Sequence, residues 1–431
     1  MSERPRILVP IYEPLDGPMS ALATRRLEIG CALAGACDVT FASTVATAPF
    51  RIRDVPVEPA DGRRLFRRLL DDHEFLYTLS IFPKHAFDVA RSGIKLILDL
   101  YAPVAFECLE AYPEMPAELL DRIHRQKIWW TARQIEMASV CVVANSRQAD
   151  FWIGVANQLE VLDTARIRRD PSLADMIIEI PIGVPPGTPE RAGTPLRSRL
   201  GLTRDDFVFL WSSKILAWQD PAVLMDAMRL LHDRDPGIKV VFLGLGDPAP
   251  PGRASWLDAA ALRTREARQL AASAGLTDAT VFFVDERINY HDLGGYYRDC
   301  DAAIATYPDS LETRMCLGTR LADYVWAELP MVVTGGPLQR EFVDGQGIGY
   351  CSTPGVASEL ADNMERIARR VRSSGWDPQS FAAAKRRHAW TELTAPLVEW
   401  CRRHAGEPRR RRSGVAELLA AIRFLVTDRR A

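Results

Sequence analysis

Signals for metal binding, redox chemistry and membrane spanning are scarce in this sequence of 431 residues. Its eight cysteines are scattered, with no Cys-x-x-Cys pair and no His/Cys cluster at the spacing of a zinc site. No apolar run approaches the length that crosses a bilayer, and no signal-like apolar region precedes the first predicted strand. A net charge of −2 indicates no general attraction to nucleic acid or anionic membrane. We therefore expect a reduced, cytoplasmic protein in which most cysteines are small core residues.

Short apolar runs alternate with helical patterns along most of the chain, which is typical of α/β domains with parallel sheets. The length predicts two to three domains, and a segment rich in Pro, Gly, Arg and Thr separates two halves. The predicted organisation is a Rossmann-like domain over 1–183, a linker over 184–204, a second Rossmann-like domain over 205–380, a C-terminal helix over 381–404 and a tail over 405–431.

The stretch Cys300–Gly336 carries the strongest chemical pattern in the chain. It predicts a strand, a loop, a helix that includes Leu317–Val325, and a second strand. Arg320 and Asp323 are three residues apart and therefore share a helix face, and Glu312 lies in the preceding loop. These charges either form a solvated helix face with a capping acid or contact a ligand, because ligands of parallel sheets bind beyond the carboxyl ends of the strands.

This stretch resembles the donor-binding segment of the retaining family 4 glycosyltransferases, which have the GT-B fold. Ala-Glu-Leu-Pro at 327–330 is similar to the Gly-Leu-Pro that ends the family's helix, and it places Asp323 at the second of the family's two acids. The first acid would fall on Met315, so Glu312 takes its place only if this chain carries a short insertion. The residues that resemble one subgroup are Glu312, Thr313, Thr319, Arg320, Asp323, Trp326 and Ala327.

The resemblance implies specific roles in the second domain. Asp323 would accept hydrogen bonds from nucleotide ribose hydroxyls, and Glu312 would hold hydroxyls of the donor sugar. Lys214 and Arg320 would neutralise the leaving diphosphate, although Lys214 is displaced from the family's Arg and could instead be a solvated loop lysine. The remaining predicted donor-binding residues are Thr313, Gly244 and Gly336.

In the first domain, the resemblance implies acceptor or phosphate contacts in loops that follow strands. Gly17 lies in the loop after the first strand, where the family is richer in glycine, so an ordinary connection is equally open. Asp99 would hydrogen-bond an acceptor hydroxyl or cap the following helix, and Tyr101 would stack on a sugar ring.

The resemblance therefore implies a GT-B enzyme with two Rossmann-like domains that face a cleft. The expected partners are a nucleotide-sugar donor and a small-molecule or glycan acceptor, with no nucleic acid and no cofactor. We expect no metal, because Asp299-Cys-Asp301 precedes its strand instead of following it. The alternatives are a sugar-nucleotide epimerase or phosphorylase of the same fold, and a non-catalytic sugar-nucleotide-binding subunit.

The tail combines a basic run, Arg409–Arg412, with apolar residues at helical spacing after it. Such a helix either contacts a membrane surface weakly or packs on the protein itself.

Overall fold

The chain is divided into two compact units, seen in a computed structural model that describes residues 4–15, 17, 19–111, 115–190, 196–246 and 256–408. The first unit contains Met1–Ala105, Met115–Gly183 and Trp390–Ala431, and the second contains Phe106–Glu114 and Val184–Ala389. Residues 409–431 of the predicted tail lie outside the described residues. No helix among the described residues is long and apolar enough to cross a membrane.

The first unit is built on an eight-stranded sheet with the order β3-β4-β2-β1-β5-β6-β7-β8. The strands are β1 (Arg6–Ile11), β2 (Asp38–Ser43), β3 (Phe50–Ile52), β4 (Val55–Pro59), β5 (Phe75–Thr78), β6 (Lys95–Asp99), β7 (Val140–Val143) and β8 (Ile177–Glu179). All neighbouring strands are parallel except β3 and β4, which form an antiparallel hairpin at the edge.

Helices connect these strands. They are α1 (Ala21–Ala34), α2 (Arg63–Asp72), α3 (Pro83–Ser92), α5 (Ala117–Met137), α6 (Ser146–Gln158) and α7 (Thr164–Arg169), and the chain returns at the end with α17 (Trp390–His404). A further helix, α4 (Val104–Ala111), begins in the first unit and continues in residues assigned to the second.

The second unit has a six-stranded, fully parallel sheet with the order β11-β10-β9-β12-β13-β14. Its strands are β9 (Phe207–Ser212), β10 (Ile238–Leu243), β11 (Val281–Val284), β12 (Ala302–Ala305), β13 (Met331–Thr334) and β14 (Gly349–Ser352). Its helices are α8 (Leu196–Arg199), α9 (Pro221–Arg234), α10 (Trp256–Ser273), α11 (Leu293–Tyr297), α12 (Leu311–Met315), α13 (Arg320–Trp326), α14 (Pro337–Val343), α15 (Ala357–Ser374) and α16 (Pro378–Arg387), with a 3-10 turn at Tyr290–Asp292.

Central strands are buried on both faces, which explains why they read as continuous apolar runs without alternation. Every residue of β5, β7, β9, β12 and β13 is buried. In the second unit Phe209, Trp211 and Phe242 pack in one core with α9 and α15. The two sheets are therefore Rossmann-like layers that leave only their strand ends available for polar chemistry.

Each sheet has a point at which the strand order reverses, and such a switch point opens a crevice at the carboxyl ends of the strands. In the first sheet it lies between β1 and β5, and in the second it lies between β9 and β12. Loops that follow these four strands are therefore the places where ligand groups are expected.

Several local predictions differ from the structure. The sequence analysis missed the β3–β4 hairpin and β14, which are short or partly exposed. Leu317 lies between α12 and α13 and not inside one helix, because the backbone of Cys316 is extended (φ −120°, ψ 141°) and ends α12. One helix was predicted over 381–404, whereas the chain forms α16 and α17, and only α17 is part of the first unit.

The segment predicted as a linker includes a short helix. Residues 196–204 belong to the second unit and begin with α8, and residues 191–195 are not described. Arg197 donates from Nε to the carbonyl of Asp299 at 2.8 Å and forms an ion pair with Asp301. These bonds hold α8 on the second unit.

Candidate functional site

Polar groups gather at the carboxyl ends of the second sheet, around its switch point. Ser212 ends β9 and Lys214 follows it, and the loop after β12 leads through Ser310 into α12. Between these strand ends the carbonyl of Thr306 accepts a 2.9 Å hydrogen bond from the backbone N–H of Asp220, the N-cap of α9. The two loops are therefore fixed to each other at the place where a ligand of this sheet would bind.

A buried hydrogen-bond network supports Asp323. Arg320 Nη1 lies 2.7 Å from Asp323 Oδ2, so the two side chains that the helix spacing places on one face form an ion pair. The hydroxyl of Tyr297 lies 3.4 Å from the same carboxylate oxygen and 2.8 Å from Ser212 Oγ. Because Tyr297 is on α11 and Ser212 ends β9, the network connects three elements and fixes the orientation of the acid.

The protonation states in this network are set by burial. Burial raises the pKa of Tyr297, and the charge of Asp323 raises it further, so the phenol stays protonated and can donate. Burial alone would lower the pKa of Arg320, but Tyr297 and Asp323 raise it above its ordinary value. The site therefore presents a fixed guanidinium–carboxylate pair with one phenol behind it.

Two cations converge on the loop after β10. A Cβ atom on Gly246 would lie 3.2 Å from Lys214 Cε and 3.1 Å from Arg287 Cγ, so both side chains pack against this glycine. The φ of Gly246 is +70°, and Gly244 also has a positive φ of +78° with its N–H donated to the carbonyl of Val284. Two adjacent cations that follow β9 and β11 make a suitable environment for phosphate oxygens.

Arg287 is a residue that the sequence analysis did not name for the site. Its only sequence signal is its position just after β11, in a segment that resembles the family. That Arg287 approaches Lys214 depends on how the loops after β9, β10 and β11 meet, which the sequence does not show.

Glu312 lies on α12 and is 4% exposed. Burial raises the pKa of its carboxyl well above the ordinary value, and the negative charges of Glu107 and Glu110 raise it further. A neutral carboxyl can donate a hydrogen bond, which an ionised one cannot.

Thr313 takes part in the N-terminal cap of α12. Its backbone N–H binds Ser310 Oγ at 3.3 Å, and its own hydroxyl donates to the carbonyl of Pro308 at 2.8 Å. Ser310 and Thr313 form a reciprocal capping box, so this hydroxyl already has partners inside the protein.

The backbone of Gly336 is hydrogen-bonded to a side chain of the next helix, α14. Its N–H donates to Gln339 Oε1 at 3.1 Å, and Gln339 Nε2 donates to the carbonyls of Thr313 and Cys316 at 2.8 and 3.1 Å. Gln339 is 1% exposed and therefore acts as a clamp between α12 and the end of β13. The predicted phosphate contact of Gly336 would require this bond to be exchanged.

Asp99 and Tyr101 are placed inside the first unit. Arg25 Nε lies 2.7 Å from Asp99 Oδ2, the Tyr77 hydroxyl donates to the same oxygen, and Oδ1 accepts from the backbone N–H of Tyr101 at 3.0 Å. Asp99 is 1% exposed and Tyr101 is 4% exposed, with the Arg25 guanidinium 4.5 Å from the Tyr101 ring centre. Both oxygens of Asp99 therefore have partners inside the first unit, and the acceptor contact stays a prediction.

The structure describes Gly17 but neither of the two residues next to it in the chain. Among the described residues, a Cβ atom on Gly17 would come within 4 Å of Pro14 alone, at 3.8 Å. The predicted donor residues thus lie along one sheet edge, whereas Asp99 and Tyr101 lie in a core. Among the described residues no group of three His, Cys, Asp or Glu side chains could hold a metal ion.

The sequence matches no family model. A D-inositol 3-phosphate glycosyltransferase from Streptomyces griseus subsp. griseus is 25% identical over 211 residues, which are 46% of this chain and 42% of that protein. The match therefore spans less than half of that relative.

Solved structures resemble the chain over nearly its whole length. The Anabaena protein Alr3699/HepE in complex with UDP and glucose has a TM-score of 0.62 at 15% identity, with 91% of this chain and 98% of that chain covered. Sucrose-phosphate synthase from Thermosynechococcus elongatus has a TM-score of 0.59 at 14% identity, covering 93% and 99%. An α,α-trehalose-phosphate synthase from Burkholderia vietnamiensis has a TM-score of 0.57 at 12% identity, covering 93% and 100%. Together with the two α/β units and their mainly parallel sheets, these matches show that the chain has the GT-B fold of glycosyltransferases.

Proposed function

We propose that the protein is a retaining glycosyltransferase that moves a sugar from a nucleotide-sugar to an acceptor hydroxyl. The observation that carries this proposal is the oriented Arg320–Asp323 pair at the switch point of the second sheet. Lys214 and Arg287 follow strands of the same edge and supply positive charge where a diphosphate would lie. A carboxylate for ribose hydroxyls and cations for phosphates are the two groups that nucleotide-diphosphate binding requires.

The donor proposed for the first test is UDP-glucose. The Anabaena protein has been solved with UDP-glucose as well as with UDP and glucose, and it shares this fold. Asp323 would accept hydrogen bonds from the ribose, with Tyr297 and Ser212 holding it in place. Glu312, whose neutral form is favoured by burial, would donate to a hydroxyl of the glucosyl group.

The proposed reaction needs no enzymic base in the second unit. The acceptor oxygen forms a bond to the anomeric carbon on the face from which the diphosphate leaves, and the bond from that carbon to the phosphate oxygen breaks. A donor phosphate oxygen takes the acceptor proton. Positive charge from Lys214, Arg287 and Arg320 stabilises the negative charge that develops on the leaving UDP, without a metal ion.

The binding part of the proposal is tested with Asp323→Asn, titrated with UDP by calorimetry. Loss of a charged acceptor should weaken binding by about 1.5–3 kcal/mol. Asp226→Asn removes an exposed acid of α9 in the same unit and serves as the matched control. Equal UDP affinity in Asp323→Asn and the parent would remove Asp323 from the site.

The catalytic part is tested by incubating the full chain with UDP-glucose and following UDP release and sugar products. UDP release, by transfer or by slow hydrolysis, is expected for a transferase. An epimerised nucleotide-sugar, or tight binding without any turnover, would contradict the proposal in favour of an epimerase or a non-catalytic subunit.

A further inference from the structure

The switch point of the first sheet carries a second set of polar and aromatic groups. Tyr12 follows β1, and Thr78 ends β5, whose loop leads to Phe82 and then to α3. The rings of Tyr12 and Phe82 meet edge to face with centroids 4.7 Å apart, and Phe82 is 47% exposed. An exposed aromatic face thus lies beside the crevice that the strand order opens in this unit.

Arg26 of α1 is buried beside these rings. It is 8% exposed, and its guanidinium lies 5.2 Å from the centre of the Tyr12 ring. Its Nε is buried and has no hydrogen-bond partner among the described residues. Among the residues that the structure describes, no carboxylate lies within ion-pair distance of Arg26.

Arg25, the preceding residue in α1, is a buried guanidinium whose nitrogens have hydrogen-bond partners. It pairs with Asp99 and also donates to the carbonyls of Ile180 and Pro181 at 2.8 and 3.1 Å. Among the described residues Arg26 has no comparable ion pair, and its guanidinium contacts the Tyr12 ring instead. A buried guanidinium nitrogen that lacks a hydrogen-bond acceptor is destabilising, so such a group is uncommon unless a ligand supplies the missing acceptor.

We propose that Arg26 binds an anionic group, a phosphate or a carboxylate, that the acceptor carries, with Tyr12 and Phe82 contacting the body of that acceptor. This inference rests on the proposed function, because it names the chemical class of the second substrate. Lys84, whose Nζ lies 6.0 Å from the Phe82 ring centre, adds positive charge at the exposed side of the patch. The cation and the aromatic surface together suit a ring that bears a negative charge.

The binding test uses the full chain with inorganic phosphate and, separately, acetate as probes, followed by calorimetry in the presence and absence of UDP. We expect one of the two anions to bind the parent chain, and the dissociation constant to rise at least about tenfold in Arg26→Gln. Arg64→Gln changes an exposed arginine of α2 and should bind like the parent. Absence of binding by both anions, or equal binding by the parent and Arg26→Gln, would overturn the proposal.

A stability measurement separates a ligand contact from a structural role. Arg26→Met keeps the apolar stem over Tyr12 and removes the unpaired charge, so its melting temperature should equal or exceed that of the parent. A large drop for Arg26→Met would mean that the guanidinium has structural partners and would overturn the inference.

Different binding results would contradict the proposed function and the proposed role of Arg26. UDP affinity should be unchanged in Arg26→Gln, and a matching loss of UDP affinity would assign Arg26 to the donor instead of the acceptor. If UDP does not bind the parent chain, the proposed function fails while anion binding that depends on Arg26 is still measured.

Discussion

Three sites with buried charges differ in their surroundings, and each predicts a different response to mutation. Arg25 and Asp99 satisfy each other inside the first unit. Arg320 and Asp323 also pair, but at a strand edge where a ligand can compete for the acid. Glu312 is buried near other acids, so its neutral form is favoured. The charge of a residue type thus says little until its neighbours are known.

Glu312 should make stability depend on pH. Because its folded pKa is raised, its contribution to stability is fully present below the unfolded pKa of about 4.3 and is lost as pH rises toward the folded value. Glu312→Gln mimics the neutral acid, so its melting temperature should fall less between mildly acidic and neutral pH than that of the parent. Glu341→Gln, an exposed acid in the same unit, is the control. Parallel pH profiles for Glu312→Gln and the parent would contradict this reading.

Tyr297 should act on nucleotide binding through Asp323. Tyr297→Phe removes the hydroxyl between Ser212 Oγ and Asp323 Oδ2, at a cost of about 0.5–1.5 kcal/mol in unfolding free energy. UDP affinity should also fall, because the acid loses one of its supports. Tyr296→Phe changes the neighbouring, half-buried tyrosine and should affect neither measurement. If both variants behave alike, the phenol of Tyr297 does not position the acid.

At the scale of elements, the site depends on loops whose backbones are set by glycine and by short helices. The loop after β10 turns with a positive φ at Gly246, and the end of β13 is clamped to α12 by Gln339. These contacts join segments that are far apart in the sequence, so they form only when the whole sheet edge is assembled.

Gly246→Ala should disturb the two cations that pack on it. Any non-glycine residue at this positive φ costs about 1 kcal/mol or more, and the added Cβ also displaces Lys214 and Arg287 by a few tenths of an ångström. Gly201→Ala is a matched control, because its φ of +68° carries the same backbone cost while a Cβ there meets nothing within 4 Å. Both variants should lose stability, but only Gly246→Ala should lose UDP affinity in calorimetry. Equal UDP affinities would show that the two cations do not bind the diphosphate.

At the scale of the whole molecule, the chain passes from one unit to the other at Gly183 and returns at Trp390. The backbone N–H of Val184 donates to the carbonyl of His388 at 2.8 Å, so the two passages run side by side within the second unit. The ring of Trp390 packs on Gly183, where no side chain would fit. Each unit is built on one mainly parallel sheet whose strands are connected by helices.

The reaction of the whole enzyme should keep the donor's anomeric configuration and should survive a chelator. Retention follows from attack on the leaving-group face, and chelator resistance follows if Lys214, Arg287 and Arg320 supply the positive charge. Proton NMR of the new glycosidic bond reports the configuration directly. An inverted product would contradict the proposed mechanism, and loss of turnover with chelator would contradict the charge argument independently.

Local sequence patterns were sufficient to predict the positions of most strands in both sheets. β11, β12 and β13 begin and end where the apolar runs do, and the other central strands differ by a few residues at most, because strands buried on both faces leave an uninterrupted apolar signal. The position of Arg320 and Asp323 on one helix face was equally readable, because three residues along a helix fix two side chains on one face. The ion pair between them was added by the structure. Features that depend on neighbours in sequence were therefore determined by the sequence itself.

Only the tertiary structure decided which charges could serve a ligand. Asp99 follows a strand just as a ligand-binding acid would, but Arg25, distant in sequence, occupies it. Arg287 and Lys214 were brought together by loops after different strands. Arg26 was distinguished from Arg25 by the lack of a hydrogen-bond partner for its Nε among the described residues. The physical reason is the same in each case: the free energy of a buried charge depends on groups contributed by distant parts of the chain, and a local pattern contains no information about them.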